Sequence, residues 1–285
     1  LRHLVHVVGV AEKDITLGDP TTIFPKMFYD VFSQEFPDIQ YLDNLGGAGR
    51  TRSDFSEVPF HWSTSEADGK LADFVPVSYA EAEYLINLAV LKTHGSGGVT
   101  VCAKNHFRSL LRCPDGLLRD TTRNYYHLHY NLPKGNQGTG KYRALVDLMG
   151  HPELGGKTFL CIIDGLYGGQ NWSSKPEKWQ SAPFNGDWPS SIFVSQDQVA
   201  VDSVAYDFLR MEFPEQVAVW EDAPLDYLIE AATADNPPSG TVYDPAGTGQ
   251  GLRSLGVQEN WNNAEDKQYS RNLGTGEGIE LVYRQ

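Results

Sequence analysis

The chain has 285 residues, 40% hydrophobic and 21% charged, which suits one large or two moderate globular domains with a sizeable core. Its net charge of −14 excludes a general nucleic-acid surface, which needs clustered Lys and Arg, and no apolar stretch approaches the ~18 residues of a membrane span. The three cysteines, Cys102, Cys113 and Cys161, lack the spacing of a zinc knuckle, a thioredoxin motif or an iron–sulfur cluster and leave the redox compartment undecided.

In chain order, Leu4–Val10 predicts a first strand and the DITLGDP segment at 14–20 a second, ended by its Gly and Pro. Apolar residues at Phe24, Met27, Phe28, Val31 and Phe32 keep a helical period that Pro37 closes, ahead of a strand at Ile39–Leu42. Strand–helix–strand is the unit of a parallel α/β sheet. Residues 46–62 read as an irregular loop with a short strand, Phe74–Val77 as a strand, and Ser78 as the cap of a short helix over Tyr79–Tyr84. Leu85–Leu91 is an apolar run that predicts a buried strand, followed by a second run at Val99–Ala103 and a helix over 105–111. A long polar excursion at 115–140 precedes a helix at Lys141–Met149 and a strand at Lys157–Ile163 that ends in Asp164-Gly165. A second excursion, from Gln170 onward, carries Trp172, Trp179 and Trp188, which either stack on a ring or pin the loop to the core. Then come a strand at Ser191–Ser195, an amphipathic helix at Asp197–Met211 and a short helix at Leu225–Ala232. Residues 236–285 read as an extended wrap ending in a strand at Ile279–Tyr283. The expected fold is α/β: a mainly parallel sheet flanked by helices over residues 1–235, with long loop excursions and the tail as part of the same domain.

Three constellations carry chemistry. The first joins Lys92 and His94, at the end of one apolar run, to Lys104, Asn105 and His106, at the end of the next, through a loop containing Gly95, Gly97 and Gly98. Lysines and loop amides at the mouth of an α/β sheet suit an anion; the plain alternative is a glycine turn with solvent-facing lysines. The second places Asp164 where a strand meets Gly165, suited either to a metal or hydroxyl contact or to a turn. In the third, Ser195 or Asp197 suits a helix N-cap, and Asp202 lies about one turn in, where a buried carboxylate needs a partner such as a lysine of the first cluster. A divalent metal such as Mg or Ca could sit among Asp164, Asp197, Asp202 and His94. Lys104, Arg108, Arg112, Arg119 and Arg123 have near-helical spacing and form either an anion-binding patch or a solvated face. His127 and His129 read as loop surface.

The segments LINLAVLKTHGSGGVTVCAKNHF at 85–107, IIDGLYGGQN at 162–171 and SQDQVAVDSVAYDFL at 195–209, with DITLGDP upstream, together resemble the domain of unknown function 362 family over about residues 10–210. The resemblance implies an α/β fold. Family members usually carry an upstream strand ending in Lys-Pro-Asn, which is absent here; with the missing initiator Met, this suggests a processed or truncated chain. Some members carry ferredoxin-like cysteines, and this chain does not, so no cluster is carried over. Members with a tryptophan-rich excursion resemble exported proteins, which favours a periplasmic or extracellular location over a cytoplasmic one. A more distant similarity is to the nickel-pincer lactate racemase family, whose Gly-Gly-x-Lys turn resembles Gly97-Gly98 with Lys104 at a different spacing.

Two functions follow as expectations. In one, Lys92, Asn105, Gly97 and Gly98 bind a small anionic ligand, Lys104, His94 and Asp202 do catalytic work of an oxidoreductase or isomerase type, and Asp164 and Asp197 hold a metal. In the other, the chain is a non-catalytic exported module that assembles as a homo-oligomer through its tail.

Overall fold

The computed structural model describes all residues except 66–72, 111–131, 133, 172, 219–222, 273–274 and 285. The first excursion's greater part, with Arg112, Cys113, Arg119, Arg123, His127 and His129, and Trp172 of the second, therefore lie outside the described residues. The chain divides into two compact units: Leu1–Pro59 with Ala72–Ala82 and Arg108–Tyr125, and Phe60–Leu71 with Glu83–Phe107 and Tyr126–Gln285.

In the first unit, β1 (Thr16–Gly18), β2 (Gln40–Asp43) and β3 (Thr51–Arg52) form a parallel sheet in that order, with α1 (Lys26–Glu35) between β1 and β2. This is the predicted strand–helix–strand unit. Its small core gathers Phe36, Ile39 and Tyr41 with Leu17, Phe24, Tyr29 and Phe32. β4 (Phe55–Phe60) pairs with β5 (Asp73–Pro76), and α2 (Val77–Ala80) follows. The strand predicted at Leu4–Val10 is instead a π-helical turn, His3–Val8, ended by Gly9 at φ 85°. Among the described residues no neighbouring strand takes up its amides, and the segment closes backbone bonds on itself, Val10 N to Leu4 O at 2.9 Å.

The second unit is built on a four-stranded sheet ordered β7-β6-β8-β9, with β6 at Leu85–His94, β7 at Gly98–Thr100, β8 at Thr158–Gly169 and β9 at Ser191–Ser195. The central pair, β6 and β8, is parallel, and both edge strands run antiparallel to their neighbours. The fold is thus mixed α/β, with parallel pairing at the centre of each larger sheet. The helices are α3 (Cys102–Leu110), α4 (Ala144–Gly150), α5 (Gln198–Glu212), α6 (Pro214–Ala218) and α7 (Ala223–Ala232). None of the described helices is long and apolar enough to cross a membrane.

Side chains alternate across a strand, and here the two faces differ. Ala89 and Leu91 of β6, Cys161 and Ile163 of β8, and Phe193 of β9 point to the face on which α5 packs, where the Phe193 and Phe208 rings lie 5.4 Å apart. Ile86, Leu88 and Val90 of β6 and Ile192 and Val194 of β9 point the other way and are exposed. The Leu85–Leu91 run predicts a buried strand, and a continuous apolar strand of a parallel sheet is covered on both faces. Only every second residue is covered.

The tail from Asn236 onward has no regular element among its described residues, and the strand expected at Ile279–Tyr283 does not form. Carboxylates take the place of a sheet edge. Asp197 accepts from Val257 N at 2.9 Å, Asp207 from Trp261 N at 2.9 Å and Tyr269 Oη at 3.1 Å, and Glu230 from Ser239 N at 2.9 Å and Tyr243 Oη at 2.8 Å. Glu259 accepts from Arg271 N at 2.7 Å and from Ile279 N at 3.1 Å. Backbone groups buried away from water need such partners, and this tail finds them in acidic side chains, chiefly of α5 and α7.

Candidate functional site

The structure divides the predicted site residues into two groups, set apart by the faces of β6. Lys92 and His94 follow Ile86, Leu88 and Val90 on the outward face, at the carboxyl end of the strand, whereas Thr93 between them is buried. The β6–β7 register sets Lys92 opposite Thr100 and His94 opposite Gly98. Lys92 Nζ donates to Thr100 Oγ1, and that hydroxyl donates to Lys92 O at 3.2 Å. The amides of Ser96 and Gly97 both donate to His94 Nδ1 at 3.0 Å. A nitrogen that accepts two hydrogen bonds carries no proton, so the neutral imidazole keeps its proton on Nε2.

The turn that builds this edge requires glycine. Gly98 has φ 73°, in the left-handed region, and a Cβ there would lie 2.4 Å from the Pro224 ring at the start of α7. The turn is thereby held against α7. Thr93 Oγ1 donates to Gln170 O, which fixes the loop after β8 beside the same edge.

The second group lies around the first turn of α3 and is buried except for Asn105, which is exposed. The apolar run Val99–Ala103 turns helical at Cys102, ahead of the helix predicted from 105, so Lys104 and Asn105 both sit in the first turn of α3. Asp202, fully buried on α5, accepts from Cys102 N at 2.8 Å, Ala103 N at 2.9 Å and Tyr227 Oη at 3.1 Å. The partner expected for Asp202 was a lysine, and the structure corrects this. The first amides of a helix have no intrahelical acceptor and carry the positive end of its dipole, so they serve a buried carboxylate without the desolvation of an ammonium group. Burial pushes the Asp202 carboxyl up to about 7 against the pull of these three donors, and pushes the Tyr227 hydroxyl up as well.

Behind this turn lies a chain of polar contacts. Asn87 on β6 donates through Nδ2 to Cys102 O at 2.9 Å and lies 3.0 Å from His106 Nε2, while its Oδ1 accepts from Asn105 Nδ2 at 2.8 Å. With both Nδ2 protons directed, His106 Nε2 is an acceptor, and burial holds its imidazole neutral, with a pKa pushed down to about 4. The ammonium of Lys104 lies 3.8 Å from the centre of the Phe107 ring. Cys102 and Cys161 are both free and buried; the hydrogen bond between them and their burial push the Cys102 thiol well up, the opposite of what a reactive thiolate needs.

Asp164 and Asp197 belong to neither group. Asp164 lies on the outward face within β8, which runs past it to Gly169 instead of ending there, and accepts from Leu166 N at 2.9 Å. Asp197 is the N-cap of α5, accepting from Val199 N at 2.9 Å and Ala200 N at 2.8 Å. Among the described residues no three His, Cys, Asp or Glu side chains converge as metal ligands, so the acids expected to share a metal with His94 are dispersed.

Sequence reasoning missed Thr100, Asn87 and Tyr227. Asn87 had a legible signal, an amide at an inward position of an otherwise apolar run, which demands buried partners. Tyr227 had none, since its role depends on α7 meeting α5.

The chain matches the profile of the family described as Domain of unknown function (DUF362) over residues 1–207. No curated protein and no solved structure matches it. With most of its length inside that match, including both groups of the candidate site except Tyr227, the chain belongs to the DUF362 family.

Proposed function

We propose that the chain binds a small oxyanion at the carboxyl edge of β6, with Lys92 supplying charge, His94 a directed N–H donor and Gly97 close approach of the backbone. What supports this is the pairing of the two side chains on one face, with the His94 tautomer set by Ser96 N and Gly97 N so that Nε2–H is the polar end of the ring. The strand end is also where ligands of α/β sheets usually sit. If the bound molecule is turned over, the Nε2–H of His94 is placed to stabilise negative charge that develops on its oxygen, which suits isomerase- or oxidoreductase-type chemistry on a small hydroxy or keto acid. The buried group around Asp202 acts in this reading as support. It fixes the start of α3, and with it the chain leaving β7.

Calorimetric titration with inorganic phosphate and with lactate tests the reading. Wild type should bind at least one of them, and Lys92→Met, which keeps the aliphatic stem, should weaken that binding about tenfold or more with an unchanged melting temperature, as loss of one charge-assisted contact does. Absence of heat in wild type, or equal binding by Lys92→Met, rejects it.

A further inference from the structure

We propose that the open face of the four-stranded sheet is a self-association surface covered by a second copy of this chain. Three cross-strand rows make up the face: Ile86 with Leu160; Leu88 with Ile162 and Val194; and Val90 with Asp164 and Ile192. Seven of these eight side chains are aliphatic. Ile86, Leu88, Val90, Ile192 and Val194 are 42%, 58%, 50%, 59% and 57% exposed. Tyr84 and Phe159, 65% and 51% exposed and in ring contact at 6.0 Å, extend the patch at the start of β6.

Area and charge both favour a copy of the same chain as the occupant. The patch amounts to roughly 600 Å², the upper end of what a monomer's largest apolar patch reaches. It approaches the ~800 Å² that each partner contributes to a standard interface. A flat, pleated, β-branched surface fits a second sheet packed face to face at about 10 Å. A twofold axis makes the surface self-complementary, because each aliphatic row then meets an aliphatic row. The chain as a whole carries a charge of −14 and repels its copies, but this face does not: its single carboxylate, Asp164, is balanced by Lys92 two residues beyond Val90 on the same side of β6. Self-association is thus least opposed here.

Sedimentation equilibrium over the micromolar range tests this. Wild type should form a dimer, and added salt should strengthen it by screening the repulsion between two acidic chains. The double variant Leu88→Asp/Val194→Asp should be monomeric at every concentration at which wild type is dimeric. Val194→Lys, a milder change at an exposed position of the edge strand, should weaken the dimer about tenfold or more. Val242→Asp, at a 72% exposed position in the tail, should leave it unchanged. A wild-type chain that is monomeric throughout, or a dimer that survives Val194→Lys in a variant with an unchanged circular dichroism spectrum, overturns the proposal. None of these variants touches Lys92 or His94, so anion binding can fail or persist independently of this result.

Discussion

Asp202 shows how one carboxylate organises several elements at once. It lies on α5, yet its three donors belong to the first turn of α3 and to α7, so it fixes both helices to the one that covers the sheet. Asp202→Ala leaves two helix-terminal amides and a phenol buried without an acceptor, and should cost about 3 kcal/mol in urea unfolding. A loss below about 1 kcal/mol would mean that water enters and replaces the carboxylate. In the sequence, Asp202 was legible as a buried acid from the apolar residues around it on a helical period. Its donors were not legible, because backbone amides have no sequence signature. The lysine was the obvious guess because charge is visible in a sequence and an unpaired N–H is not. The same limit applies to His94, whose partners are amides of its own turn.

At the scale of elements, α5 shows how a helix can carry two surfaces. Its apolar side meets the sheet through Phe208, while Asp197 and Asp207 receive amides of the tail. The tail is thereby ordered without strands. Asp207→Ala should release the stretch near Trp261, removing two acceptor contacts at about 1 kcal/mol each. Limited proteolysis between residues 257 and 270 should then proceed several-fold faster, while β6 and β8 stay protected. An unchanged cleavage rate would show that the ring contact between Trp261 and Phe208, 5.0 Å apart, suffices to hold the segment. Most elements were legible in the sequence. The helical period gave α1 and α5, and turn residues bounded β1, β6 and β9. The failures occurred where β-branched or apolar residues found no strand to pair with: His3–Val8 became helical, and the last segment stayed irregular. Strand propensity does not supply a partner.

For the whole molecule, the dominant electrostatic feature is a set of buried acids in an already acidic chain. Burial pushes the carboxyls of Asp147, Asp202 and Asp207 up to about 7 each. In the unfolded chain they titrate near the ordinary ~3.9. Between these values the folded state holds protons that the unfolded state has released, so stability is full below about pH 4 and is lost as pH rises towards 7. His106 acts in the opposite sense. Its pKa is pushed down to about 4, so the unfolded chain gains a proton below about 6.5 that the folded chain refuses, and stability falls as pH drops through that range. Three groups outweigh one, and the thermal unfolding midpoint should be higher near pH 5.5 than near pH 8. Replacing Asp147 and Asp202 together by Asn should flatten that dependence; a midpoint that rises steadily from pH 5.5 to 8 contradicts it.

Composition, hydrophobic period and the three linked motifs were enough by themselves to determine that this is an α/β chain of the DUF362 family, with Lys92, His94 and the glycine turn at a strand end. These features are local, written in runs of ten to twenty residues. Only the tertiary structure decided that Asp202 binds amides instead of a lysine, that the proposed metal ligands are dispersed, and that every second residue of Leu85–Leu91 is exposed. Those outcomes depend on which helix meets which strand face, a choice made by packing between segments about a hundred residues apart.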